Sequence, residues 1–368
     1  MAAPLLLGVA PLVVLATMYR IGVSSHSLAV DFHYELYPHA KQMLSGGNPL
    51  PTAGFEPLIG GNPVWPPLAL AVASPLTFLP LSAAEVVIAV LGLVLFAAAL
   101  VVVGVRDWRV FGVCALWPHV AGEMRVSHLT PALALLAALA WRNRDRSAAP
   151  GVAVGAAIAL KLLLWPLVVW LFAMKRKAAA VLAVALGAAS FASILPYTGL
   201  GEYASALERV SRYFDQDAYT IYGLLSQLGV PDVPARLSQV VVGAALLILV
   251  WRLRSFSLAI AAALALSPIV WLDYFALALV PLAIVRPRFS MIWLLPLLTW
   301  GAPGTGLGVG TPFQIARVLV VFAVLLGLAA RAEREGTTSP VGDRLDYGPR
   351  RVQGRPAESR IVPETFTS

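Results

Sequence analysis

The chain has 368 residues, of which 59% are hydrophobic and only 12% charged, and its mean hydropathy is +0.80. A water-soluble domain of ordinary surface-to-volume ratio cannot carry so little polar surface, so lipid is the solvent for most of this chain. The formal net charge of +8 is gathered beside apolar runs, a placement that orients a membrane protein and does not advertise nucleic-acid binding.

Cys114 is the only cysteine, which excludes an internal disulfide and a cysteine metal cluster. Apolar runs of about 17 to 25 residues recur from the first residues to about Ala330, each long enough for a hydrocarbon core about 30 Å thick. Their continuous Leu, Ala and Val content predicts helices; a barrel would show short alternating segments. The expected fold is therefore all-α, a polytopic transmembrane helical bundle. The first run, Ala2 to about Val23, lacks a basic leader and a small-residue cleavage site and reads as a retained anchor.

Basic clusters stand at Arg142-Asn143-Arg144-Asp145-Arg146, Lys175-Arg176-Lys177, Arg252-Leu253-Arg254, Arg286-Pro287-Arg288 and Arg331 to Arg334. The positive-inside rule assigns these to the cytoplasm, which leaves two polar stretches, 24–63 and 197–235, on the external face. On that basis about ten crossings are expected, at 2–22, 64–81, 84–104, 126–141, 178–196, 236–253, 256–271, 272–286, 289–302 and 312–331, with both termini inside. Gly151 to Met174 is expected to form a hairpin of two half-length helices turning near Trp165-Pro166, and Phe111 to Arg125 a re-entrant or interfacial piece. A competing count makes both full crossings, about twelve in all. From Glu335 onward the composition turns polar, which predicts a transmembrane domain over 1–334 and a disordered cytoplasmic tail over 335–368.

Chemistry concentrates at the ends of these runs. The first external loop opens with Asp31-Phe32-His33-Tyr34-Glu35-Leu36-Tyr37. A carboxylate at the membrane boundary suits a general base, since apolar surroundings favour its protonated form while a hydroxyl still reaches it from water. Asp31 equally suits a helix cap. Gly46-Gly47-Asn48-Pro49 and Gly60-Gly61-Asn62-Pro63 are turn signatures, and Trp65-Pro66-Pro67 enters the next helix. Lys161 is an ionisable residue inside an apolar run and, by that cost, a functional candidate. Glu123 and Arg125 are placed to pair. Asp215-Gln216-Asp217 reads formally as Asp-x-Asp, but two carboxylates in an exposed loop do not by themselves imply a metal, and none is expected.

The order of these features resembles the polyprenyl-phosphate-dependent membrane glycosyltransferases of the C-type superfamily, specifically the mycobacterial-type mannosyl and arabinofuranosyl transferases of family 87. The resemblance rests on Asp31 after the first helix, an aromatic-rich amphipathic stretch, Gly-Asn-Pro and Trp65-Pro66-Pro67. Ser267-Pro268-Ile269-Val270-Trp271 further resembles the family's Ser-Pro-x-x-Trp, and Lys161 with Pro166 its Lys-and-Pro segment, preceded by Gly151 and Gly155. Two departures stand out. The family's usual Gly-Gln-x-Asn is Ser127-His128-Leu129-Thr130 here, and the His that usually follows Ser-Pro-x-x-Trp is replaced within Leu272-Asp273-Tyr274.

The resemblance implies a glycosyltransferase in which Asp31, by position, is the catalytic base, with no cofactor. The donor is a polyprenyl-phosphate sugar, mannose first and arabinofuranose as the alternative, and the acceptor is a glycolipid or envelope polysaccharide. The lipid phosphate leaves and must be held by cations, for which Lys161, Arg209 and Arg212 are candidates. His33, Tyr34, Trp65, His128, Trp271 and Asp273 are the residues expected to contact substrate. A lipid or glycan transporter is one rival reading, disfavoured by long loops on one face only; a catalytically silent assembly subunit is the other, left open by the motif departures.

Overall fold

The computed structural model of the chain describes residues 4–50, 52, 56–57, 64–301 and 310–336. The second turn signature at Gly60 to Pro63 and nearly all of the tail expected over 335–368 lie outside the described residues. Within them every regular element is helical. Four helices are long and apolar enough to cross a membrane: α1 (Leu5–Ser24), α4 (Leu81–Val102), α14 (Asp232–Leu253) and α17 (Pro312–Arg334).

The others are shorter. Between α1 and α4 lie α2 (Tyr37–Leu44) and α3 (Pro67–Ala73). After α4 come α5 (Trp108–Ala115), α6 (Pro118–Ala121), α7 (Glu123–Val126), α8 (Thr130–Arg142), α9 (Ala149–Leu160), α10 (Pro166–Ala173) and α11 (Lys177–Ala192). Then follow α12 (Leu200–Phe214) and α13 (Ile221–Gln227) before α14, and α15 (Phe256–Leu266) and α16 (Leu279–Val285) before α17. Proline opens many of them, among them Pro67, Pro131, Pro150, Pro166 and Pro312, where its missing N–H costs no helical hydrogen bond.

Two ends of the bundle are defined by the bonds that gather loops there. At one end Arg142 donates to the Val102 carbonyl at 3.0 Å, Arg176 to Asp145 at 3.2 Å, and the Phe289 N–H to Asp107 at 3.0 Å. The basic clusters of the sequence meet here. At the other end the two long polar stretches meet: Thr52 and Thr198 share a hydroxyl bond of 2.6 Å, Asn48 donates to the Tyr197 carbonyl, and Tyr203 to the Val64 carbonyl at 2.9 Å. Helix α12 is amphipathic and turns Tyr203, Ala206 and Val210 inward, at i, i+3 and i+7, to seat the first loop.

These anchors correct two of the expected runs. The run at 64–81 does not traverse the bundle. Helix α3 starts just after Trp65, whose indole N–H donates to Glu35, and is followed by a tight turn whose Leu79 carbonyl accepts from Tyr37, so both ends of α3 stay beside the first loop. Conversely, the piece at Phe111 to Arg125 does traverse it. Gly112 packs against the Leu7 carbonyl at one end of α1, and Arg125 donates to Ser27 at 3.3 Å just past the other. The count of twelve has this piece as a crossing; it is broken into three short helices at Pro118 and Gly122.

The segment 151–174 is a hairpin of short helices. Helix α9 stops at Lys161, whose backbone is extended (φ −160°), a 3-10 turn covers Leu162–Leu164, and α10 returns from Pro166. Helix α9 lies against α11 at very short range: a Cβ at Gly151 would overlap the Ala179 backbone, and one at Gly155 would come within 2.8 Å of Leu186. Small residues at these crossings let backbones approach as lipid-embedded helices require.

Candidate active site

Lys161, at the break between α9 and α10, therefore lies at the end of the bundle that carries the long loops. Its ammonium donates to the Tyr274 hydroxyl and lies 4.3 Å from the Tyr274 ring centroid and 4.5 Å from that of Trp65. Two aromatic faces against one ammonium are a cation–π box. Trp65 is fixed in turn, because its indole N–H donates to Glu35 Oε2 at 2.8 Å.

Asp31 begins the single wide turn Phe32–Leu36 but makes no capping bond to it. Its carboxylate reaches across to His128 Nε2 instead, with 23% of the side chain exposed. His128 is buried, and its other nitrogen, Nδ1, lies 2.8 Å from Asp273 Oδ2. Thr130 donates to that same oxygen at 3.0 Å. Three elements converge here: the first loop, the turn between α7 and α8, and the 3-10 segment Leu272–Ala278 that precedes α16.

The turn that presents His128 depends on Ser127, which ends α7 in the left-handed conformation (φ 51°, ψ 56°). That conformation is costly for a residue with a Cβ and free for glycine. The family's usual glycine at this place follows from the same geometry.

The remaining expected residues fall around this cluster or away from it. His33 pairs with Glu85, and Tyr34, 47% exposed, lies tilted against His33 with ring centroids 4.4 Å apart. Trp271 meets the edge of Phe214, 5.7 Å between centroids. Arg209 donates to the Thr52 carbonyl at 3.2 Å, holding the first loop. Arg212 pairs with Glu208 and lines a separate open groove of about 350 Å³ with Leu207, Arg236 and Pro268. Arg125 bonds Ser27, and no ion pair joins it to Glu123. Asp215, expected in an exposed loop, is buried and bonded to Arg236 at 2.7 Å; burial pushes its carboxyl pKa up, against the opposing pull of that guanidinium.

Sequence reasoning passed over Glu35, Thr130 and Tyr274 as functional residues. Glu35 had a readable signal, standing four residues after Asp31 on the same helical face. Thr130 and Tyr274 had none beyond adjacency to His128 and Asp273.

The arrangement joins a partly exposed carboxylate, held at one oxygen by a buried imidazole, to a boxed ammonium. A base and an anion-holding cation on one surface are the parts that displacement of a phosphate-linked group needs. No curated protein and no solved structure matches the chain. A family model described as Glycosyltransferase family 87 matches residues 64–281, a span that contains Trp65, His128, Lys161, Trp271 and Asp273 and begins after Asp31. With its all-helical fold and apolar helices, the chain belongs to glycosyltransferase family 87 and is an enzyme that transfers sugars.

Proposed function

We propose that the protein moves a sugar, mannose in the first instance, from a polyprenyl-phosphate donor to a lipid-linked or envelope glycan on the external face of the plasma membrane, with both termini cytoplasmic. The observation that carries this reading is the placement of Asp31: freed from capping, partly exposed, and held by His128 beside the Lys161 box.

In the reaction the acceptor hydroxyl oxygen attacks the anomeric carbon as the bond from that carbon to the phosphate oxygen breaks. The departing phosphate keeps the bonding pair, and Asp31 takes the hydroxyl proton, later returned to water. Backside displacement inverts the anomeric centre, so a β-linked donor gives an α-linked product. Lys161 neutralises charge developing on the leaving phosphate; its position in the field of Asp273, Asp31, Glu35 and Glu123 keeps that ammonium from being a lone buried cation. Arg209 and Arg212, each with a partner elsewhere, serve the loop and the outer groove, and His33, Tyr34 and Trp271 border the approach for sugar or acceptor.

The orientation follows from the basic clusters meeting at the end opposite the site. The test is release of free polyprenyl phosphate by the purified protein, given polyprenyl-phosphate mannose and polyprenyl-phosphate arabinofuranose separately with envelope glycolipid acceptors. Turnover of the first supports mannosyl transfer, and turnover of the second alone moves the assignment to arabinofuranose. Asp31→Asn should lose transfer by about 10²-fold or more while expression is preserved. Undiminished transfer by that variant would remove Asp31 as the base.

A further inference from the structure

The two places where the chain departs from its family's motifs are the two ends of one hydrogen bond. Ser127-His128-Leu129-Thr130 stands where Gly-Gln-x-Asn is usual, and Leu272-Asp273-Tyr274 where a His usually follows Ser-Pro-x-x-Trp. His128 and Thr130 both bond Asp273 Oδ2, at 2.8 and 3.0 Å. The elements are 143 and 145 residues apart in sequence, so chain proximity does not explain the pairing.

We propose that Asp273, with Thr130, is a positioning residue for the transfer reaction, acting through His128 to fix the charge and orientation of the Asp31 carboxylate. The proposal rests on the reading of Asp31 as base. An imidazole that faces a carboxylate at each nitrogen donates from both, which makes it an imidazolium. Asp273 supplies the second counter-charge. One imidazolium shared between two carboxylates locks one Asp31 oxygen while its own ring is held from the other side by Asp273. Thr130 fixes the Asp273 oxygen, and the imidazole ring is packed against Tyr274 at 5.2 Å and Trp65 at 6.1 Å between centroids. Other titratable groups also face this chain: Lys161 acts on Asp273 and Asp31, and Glu123 on Asp273, His128 and Asp31.

The imidazole is carried by the turn before α8, with its second carboxylate on the segment after Ser-Pro-x-x-Trp. Asp273 and Thr130 are both buried, so their part in the reaction is played through His128. Removing Asp273 should therefore lower turnover and alter its pH dependence without weakening donor binding.

The experiment uses the full chain reconstituted with whichever polyprenyl-phosphate sugar it turns over, and reads kcat, donor KM and the pH profile of kcat. Asp273→Asn is expected to lower kcat about 10- to 100-fold with donor KM within about two-fold, and to bring an alkaline limb into the working range as His128 loses one counter-charge. Thr130→Val, which removes a single donor and leaves the carboxylate, should lower kcat several-fold with an unchanged melting temperature. If Asp31→Asn is inactive but Asp273→Asn and Thr130→Val keep the parent kcat and pH profile, the positioning role is overturned and the base assignment stands. If Asp31→Asn is active, the base assignment itself falls, and this proposal with it.

Discussion

Trp65 donates its indole N–H to Glu35 Oε2 at 2.8 Å, joining the start of the first long loop to its end and turning the indole face toward Lys161. Trp65→Phe keeps an aromatic face but takes a donor from a buried carboxylate, a loss of about 1–3 kcal/mol. Its melting temperature in detergent should fall accordingly, and kcat/KM for transfer should drop by about ten-fold as the box loosens. A Phe variant indistinguishable from the parent in both would show that Glu35 does not hold the box.

Crossing distance is a second point of control. Gly151 and Gly155 let α9 lie on α11, and α9 ends at Lys161, so packing at that crossing sets where the ammonium stands. Gly151→Ala should cost about 1–3 kcal/mol by overpacking against the Ala179 backbone, and should lower transfer as well as stability. Gly201→Ala, where nothing lies within 4 Å of the added methyl, is the control and should leave transfer unchanged with no loss of stability.

How much of this was legible beforehand differs by residue for physical reasons. Membrane residence and the helical class follow from composition alone. Lys161 could be picked out because charge inside an apolar run is costly, and the hairpin around it because basic clusters flank a run too short for two ordinary spans. The path elsewhere was harder: α3 is as apolar as a crossing yet folds back, since nothing in hydropathy records that Glu35 and Tyr37 tether its two ends. Asp31 was found with its role open between base and cap, and only its partner decides that it does not cap. The bond between His128 and Asp273 could not be read at all, because it joins elements that meet only through the folding of everything between them.

At the basic end, Asp107 caps α5, takes both guanidinium contacts of Arg109 and accepts from the Phe289 N–H. The Arg109 side-chain bonds, with the backbone N–H groups of Phe289 and Arg109, hold its carboxyl down at about 2 despite partial burial. A carboxyl whose pKa is depressed on folding stabilises the fold when ionised, so its contribution is complete above the ordinary carboxylate range and fades as pH falls toward 2. Asp107→Asn should lower the melting temperature at pH 7, by about 1 kcal/mol in stability, and the gap from the parent should close as the pH approaches 2. A gap that stays constant from pH 7 down to 2.5 would show that packing and not charge carries the effect.

Ser127 offers the converse experiment, a substitution that should stabilise. Its left-handed backbone costs a residue with a Cβ about 1 kcal/mol, while its hydroxyl returns only a long bond of 3.3 Å to the Glu123 carbonyl. Ser127→Gly removes the strain and also gives the unfolded chain more freedom to lose, so the net gain should be about 0.5 kcal/mol. Because the backbone is already in the conformation glycine prefers, His128 should keep its place between Asp31 and Asp273, and transfer should stay within about two-fold of the parent. Ser127→Val tests the other direction, since a β-branched residue is an outlier at positive φ, and it should lose both stability and transfer together. If Gly and Val variants melt alike, the left-handed turn is not what fixes the imidazole, and the hold on His128 would have to come from its two carboxylate partners alone.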